Sequence, residues 1–253
     1  MTHSHDCLHG FEWDGVPTGH VGHLASHEAY ITGDNPDVAI LFIADLLGWK
    51  FKNARLLADH FARETPATVY VPDFFGGETL PQDLILAEKW DQIDLAGFRV
   101  RNSRAIREPE IFECARALRD RYPKVGAVGY CYGGWAVMRL GAKGTGGHDA
   151  AAPLVDAVVA GHPTFLTRDD IDGVAAPVQL LAPEIDFQFT PDLKLFAFET
   201  LQKHAVPFDY QHLPGVKHGC LSRGDPNISG EREAMVRGKN AAVGWFQQFL
   251  HSA

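Results

Sequence analysis

The chain has 253 residues, 45% hydrophobic and 22% charged, and 23 Lys and Arg against 32 Asp and Glu leave a formal net charge of −9. That length suits one α/β domain able to bury about three quarters of its unfolded surface without disulfide or metal staples. The acidic balance excludes nucleic acid and anionic membranes as partners, because both would repel it.

The polar, histidine-rich stretch from Met1 to Gly10 lacks the apolar core of a secretory signal, and no apolar run approaches membrane-spanning length. Cys7, Cys114, Cys131 and Cys220 are too few for a disulfide framework. A cytoplasmic, reducing location is therefore expected, with a single domain over 1–253 and residues 1–20 as an N-terminal arm. His3, His5, Cys7 and His9 alternate along the chain, so metal ligation is geometrically possible there. The reading adopted is a disordered arm with no metal and no cofactor.

Gly22 to Thr32 reads as one or two edge strands. Val38 to Ala44 is almost continuously apolar, as in a strand buried on both faces of a parallel sheet. A helix over about Asn53 to Arg63 puts Leu56, Leu57, His60 and Phe61 on one face. Ala67 to Val71 is the next strand, closed by Pro72-Asp73 and a Gly76-Gly77 turn. Residues 80–108 read as irregular charged helix, a lid or an excursion over the sheet. A helix over Glu110 to Arg121, a strand over Val125 to Val128 and a helix over Gly133 to Lys143 come next. Strands over Val155 to Val159 and Pro177 to Ala182, a helix over Pro191 to His204, a strand over Pro207 to Leu213 and a closing helix over Glu231 to Leu250 complete the pattern. The alternation predicts a mainly parallel sheet with helices on both faces.

Gly129-Tyr-Cys131-Tyr-Gly133 lies between a predicted strand and a predicted helix. A nucleophile elbow belongs there: the turn is so tight that side chains two residues before and after the nucleophile would strike backbone. The helix start favours a thiolate at Cys131, and the N–H of Tyr132 points where an oxyanion would form. The bland reading is a glycine-rich turn with a buried structural cysteine. Order along the chain favours catalysis. An acid, Asp186, follows one strand and His218 follows the next, both at the carboxyl ends where parallel sheets bind ligands. Glu184 competes for the acid role, Asp186 could instead cap a helix near Pro191, and His218 could be a loop histidine. His162 also ends a strand, but precedes the acid; it reads as pocket wall or as a hydrogen-bonded core residue.

These residues resemble the dienelactone hydrolase family. The resemblance covers about Ala39 to Leu250 through Gly129-Tyr-Cys-Tyr-Gly-Gly134, Ile43-Ala-Asp-Leu-Leu-Gly48, Val71-Pro-Asp-Phe-Phe75, Lys217-His-Gly219 and Arg223-Gly-Asp225. Gly10-Phe11 and Gly15-Val-Pro-Thr-Gly19 look like its fungal branch. The resemblance implies an α/β-hydrolase fold, hydrolysis of a small-molecule ester or lactone, and a Cys-His-Asp triad falling on Cys131, His218 and Asp186. It implies an acid that gates the resting thiol, here Asp45 in place of a longer glutamate, and a second oxyanion N–H from Leu46. It also implies arginines that bind a substrate carboxylate: Arg223 is one, and Arg99, Arg101 and Arg104 are candidates for another. Phe74, Phe75, Trp49, Tyr130, Tyr132, Trp135 and Phe187 suggest an aromatic pocket. The alternative from a different class is a non-catalytic small-molecule binding protein on the same fold. A monomer or a homodimer fits equally.

Overall fold

A computed structural model describes residues 10–87, 89–146 and 152–251. The histidine–cysteine cluster of residues 3–9 lies outside them. Among the described residues eight strands form one sheet: β1 (His20–Leu24), β2 (His27–Thr32), β3 (Val38–Ile43), β4 (Thr68–Pro72), β5 (Lys124–Tyr130), β6 (Ala157–Gly161), β7 (Val178–Ile185) and β8 (Phe208–Lys217). Their order is β1-β2-β4-β3-β5-β6-β7-β8. β1 and β2 run antiparallel at one edge, and every pairing from β4 to β8 is parallel.

The helices are α1 (Lys52–Glu64), α2 (Gln82–Leu86), α3 (Leu95–Arg101), α4 (Arg104–Arg119), α5 (Gly133–Leu140), α6 (Arg168–Asp172), α7 (Pro191–Leu201), α8 (Cys220–Arg223) and α9 (Ser229–Leu250). The period-two geometry of a strand sends its side chains to two separate cores. On β3, Ala39, Leu41 and Ile43 join α4, α5 and α7 through Ile111, Trp135 and Leu201 on one face. Ile40 and Phe42 meet α1 and α9 through Leu57, Phe61 and Phe246 on the other. A strand covered on both faces must be apolar at every position, which is why all six residues of β3 are buried. Among the described residues no helix is long and apolar enough to cross a membrane.

The structure departs from the sequence reading mainly at element ends. The segment 80–108 resolves into α2, α3 and the start of α4, which begins at Arg104 rather than Glu110. Tertiary contact sets that start: Arg104 forks onto both carboxylate oxygens of Asp170, at 2.8 Å each. β8 runs on to Lys217 rather than stopping at Leu213, with a bulge in its pairing to β7. That extension carries the chain directly to His218.

Candidate active site

The site sits where β5, β6, β7 and β8 end. Cys131 follows β5 with φ of +51°, a left-handed conformation for a residue that carries a Cβ. The flanking glycines make it possible. A Cβ on Gly129 would lie 2.2 Å from the Gly133 carbonyl oxygen, and one on Gly133 would lie 2.1 Å from that of Ile43. The Cys131 N–H donates to the Gly161 carbonyl at 3.0 Å and to His162 Nδ1 at 3.1 Å. The Cys131 carbonyl accepts from Gly134 and Thr164 N–H.

His218 is buried beyond the end of β8, and its own N–H donates to the Ile185 carbonyl. Its Nδ1 lies 3.0 Å from both carboxylate oxygens of Asp186, and its Nε2 lies 3.4 Å from the Thr164 hydroxyl, which is itself 3.3 Å from Cys131 Sγ. Asp186 is fixed in turn by the N–H groups of Gln188 and Phe189, at 2.8 and 3.0 Å. Glu184, the rival acid, instead accepts from Gly215 N–H at 2.7 Å and braces the loop before His218. Burial pulls the His218 pKa down. The nearby Cys131 thiol and the Asp186 carboxylate more than offset it, raising the value from 6.5 to about 9. For Asp186, burial pushes upward, but its bond to His218, that ring's charge and the two backbone donors win and hold it below the usual carboxylate range.

A model of the dienelactone hydrolase family matches residues 28–250. The chain belongs to the dienelactone hydrolase family. Hydrolase tropI of Talaromyces stipitatus is 29% identical over 258 residues, spanning 96% of this chain and 95% of that protein. A carboxymethylenebutenolidase homolog of Mus musculus is 26% identical over 251 residues, spanning 97% and 96%. Two solved structures share the fold. The dienelactone hydrolase from Anabaena variabilis is 15% identical with a TM-score of 0.62, covering 92% of this chain and 97% of that one. Carboxyl esterase 2 from Tuber melanosporum is 14% identical with a TM-score of 0.65, covering 96% and 91%. The protein is thus a dienelactone hydrolase-like hydrolase of the α/β-hydrolase superfamily.

In this member of the family the other sequence-predicted residues divide into two groups. His162 belongs with Cys131. Its Nδ1 accepts a proton-bearing N–H, and its ring meets His218 edge-on at 4.8 Å. Burial, reinforced by His218, pushes its pKa down to about 3, so His162 is neutral. Asp45 and Arg223 pair with each other, Nη1 to Oδ2 at 2.9 Å, their side chains 3% and 0% exposed. Asp45 also accepts from Ser222 Oγ at 2.8 Å and, through Oδ1, from Leu47 N–H at 2.9 Å. Arg223 is therefore a buried ion-pair partner rather than an exposed arm, and the Asp45 carboxylate is occupied by three donors. The candidate second arginines Arg101 and Arg104 hold Glu78 with Asp94, and Asp170, respectively; Arg99 is half-buried on α3.

Leu46 lies in the loop after β3, beside the elbow, since Ile43 is in register with Gly129. Among the described residues neither the Leu46 nor the Tyr132 N–H is bonded to an acceptor. Trp135 is fully buried, with the Arg104 guanidinium over its ring at 4.7 Å. Phe74, Phe75, Trp49 and Tyr132 are also buried, around a gap of only about 10 Å³. Beside the site, exposed aromatic surface comes from Phe187, 5.6 Å from the His218 ring, and from Phe165, packed edge-on to Tyr132. Phe165 escaped the sequence reading. So did Thr164, whose hydroxyl lies 3.3 Å from Cys131 Sγ and 3.4 Å from His218 Nε2. Neither belongs to a motif; their position after β6, in the loop that begins with His162, was the available signal.

Proposed function

We propose that the protein cleaves a small-molecule ester or lactone with Cys131 as nucleophile, His218 as acid–base and Asp186 as the acid that orients it. One observation carries the reading: an imidazole bonded to two carboxylate oxygens on one side and linked through the Thr164 hydroxyl to a thiol on the other, with the thiol on a left-handed turn. Such an arrangement favours transfer of the thiol proton to His218, and the thiolate is the reactive form.

The thiolate attacks the ester carbonyl carbon, and the carbonyl π electrons move to oxygen. The unengaged N–H groups of Leu46 and Tyr132 are the donors for that oxyanion; loss of one such donor costs about 2.7–4 kcal/mol in transition-state stabilisation. Collapse expels the alkoxide, which takes the Nε2 proton of His218, and leaves an acyl thioester on Cys131. Neutral His218 then removes a proton from water, the hydroxide adds to the thioester, and the acid leaves as the thiolate re-forms beside protonated His218. Asp186 keeps Nδ1 protonated and the ring oriented throughout. Asp45 serves here as a brace: its bond to Leu47 N–H fixes the turn that presents the Leu46 amide. His162, neutral and bonded to the Cys131 amide, holds the elbow from behind.

The test is turnover of an activated, uncharged ester by purified Cys131→Ala. Turnover is expected to be lost, and mass spectrometry of the wild type is expected to find an acyl group on Cys131. Turnover at the wild-type rate in the alanine variant would remove the mechanism.

A further inference from the structure

Thr164 is almost completely buried, and its hydroxyl lies within 3.4 Å of both reacting atoms of the proposed centre, Cys131 Sγ and His218 Nε2. Its backbone is held to the nucleophile as well: Thr164 N–H donates to the Cys131 carbonyl at 2.8 Å. Pro163, the residue before it, fills the space that a Cβ on Gly134 would need. On either side of this Pro-Thr pair the backbone is left-handed, with His162 at φ +35° and Phe165 at φ +57°. Non-glycine residues stay in that region only where surrounding contacts over-determine them. The loop spends conformational strain at two positions, and the side chain it aims between thiol and imidazole is a hydroxyl.

A hydroxyl has one hydrogen to donate and lone pairs with which to accept. Between sulfur and ring nitrogen it can bridge in two ways. With a neutral thiol and a bare Nε2, it accepts from S–H and donates to nitrogen. With the proton moved, it accepts from Nε2–H and donates to the thiolate. The second bridge is charge-assisted at both ends, and such bonds are roughly twice as strong as neutral ones. The hydroxyl therefore biases the pair toward the charged state. In that transfer the S–H bond breaks, the Nε2–H bond forms, and no other reagent is needed.

We propose that Thr164 is a positioning residue which, from its place between Sγ and Nε2, holds Cys131 as a thiolate beside protonated His218 in the resting enzyme. The proposal rests on the reading of Cys131 as nucleophile. The other charged and titratable groups around the pair are Asp186 after β7 with Lys194 of α7 near it, His162 after β6, and Arg223 of α8 with its partner Asp45. A substitution at Thr164 alters none of them, so a change in thiol acidity reports on the hydroxyl.

The experiment measures the rate of Cys131 alkylation by iodoacetamide against pH in the full chain, with Cys131→Ala as the blank for the other cysteines. Thr164→Val removes the hydroxyl at nearly constant volume, Thr164→Ala removes it without the branch, and Thr164→Ser retains it. In the valine and alanine variants the alkylation midpoint is expected to rise by about one pH unit, with alkylation slowed about tenfold at pH values below the wild-type midpoint. Their kcat on an activated ester is expected to fall by a similar factor at unchanged KM, and the serine variant to restore both. Midpoints that stay at the wild-type value in both the valine and alanine variants would overturn the proposal, as would a serine variant displaced as far as valine. If Cys131→Ala still turned over the ester, the nucleophile reading would fall, while the alkylation midpoints would still decide whether Thr164 sets the acidity of this thiol.

Discussion

His218 with Asp186 forms one buried ion pair at the strand ends and Arg223 with Asp45 forms another; in both, the side chains are at most 3% exposed. The first pair contains a group that can lose its proton. Its acid has two backbone donors to hold it still, and its base keeps Nε2 turned toward the Thr164 hydroxyl that borders the thiol. The second contains a guanidinium, which stays charged at any pH the fold survives. Its carboxylate ties the loop after β3 to α8, through Ser222 as well as Arg223. Similar burial thus suits two ends: one pair can hold a movable proton, the other ties chain segments together.

The largest expected effect separates the pairs by activity. Asp186→Asn should lower kcat by about 10⁴-fold, because an amide cannot hold the charged imidazole in the required tautomer; steady-state hydrolysis of an activated ester measures it. Asp45→Asn should cost far less in kcat, and an equal loss would show that the two pairs do not differ in role. Next comes stability. Arg223→Met leaves Asp45 buried without its cation, and should lower unfolding free energy by about 3–5 kcal/mol, read from urea denaturation. Adding Asp45→Leu should recover part of that loss by removing the stranded charge.

The smallest and sharpest test is pH. His218 has its folded pKa raised from 6.5 to about 9. A raised value means that the stability this group contributes is fully present below about pH 6.5 and is lost as pH climbs through about 9. Over the same upper range kcat/KM should fall, about tenfold per unit above 9, because the ring no longer carries the proton that the leaving alkoxide needs. The same alkaline limb should persist in Arg223→Met, since the permanent pair takes no part in it.

What could be read from the sequence was whatever local sterics or order enforces. The elbow was visible because Gly129 and Gly133 are the residues whose missing side chains let the turn close. The central strand was visible because burial on both faces leaves no polar position in β3. His218 and Asp186 could be placed because each follows a strand. The Asp45–Arg223 pair could not, since its members are 178 positions apart and each has many possible partners. Thr164 could not either: one hydroxyl has no spacing to recognise, and its importance arises from where a left-handed loop leaves it. The extension of β8 was hidden by Pro214-Gly215, which resembles a stop. In the folded chain Glu184 receives the Gly215 N–H and the strand continues.

The segment before β1 is sewn onto the back of this centre. Phe11 N–H donates to the Arg223 carbonyl, Trp13 Nε1 to that of Gly224, and Asn53 joins Trp13 N–H, Phe11 and Ser222. Trimming the chain past Trp13 would therefore uncap two successive carbonyls, those of Arg223 and Gly224, in the short helix and turn that position the arginine. An expression boundary drawn at the first strand would cut away part of the scaffold.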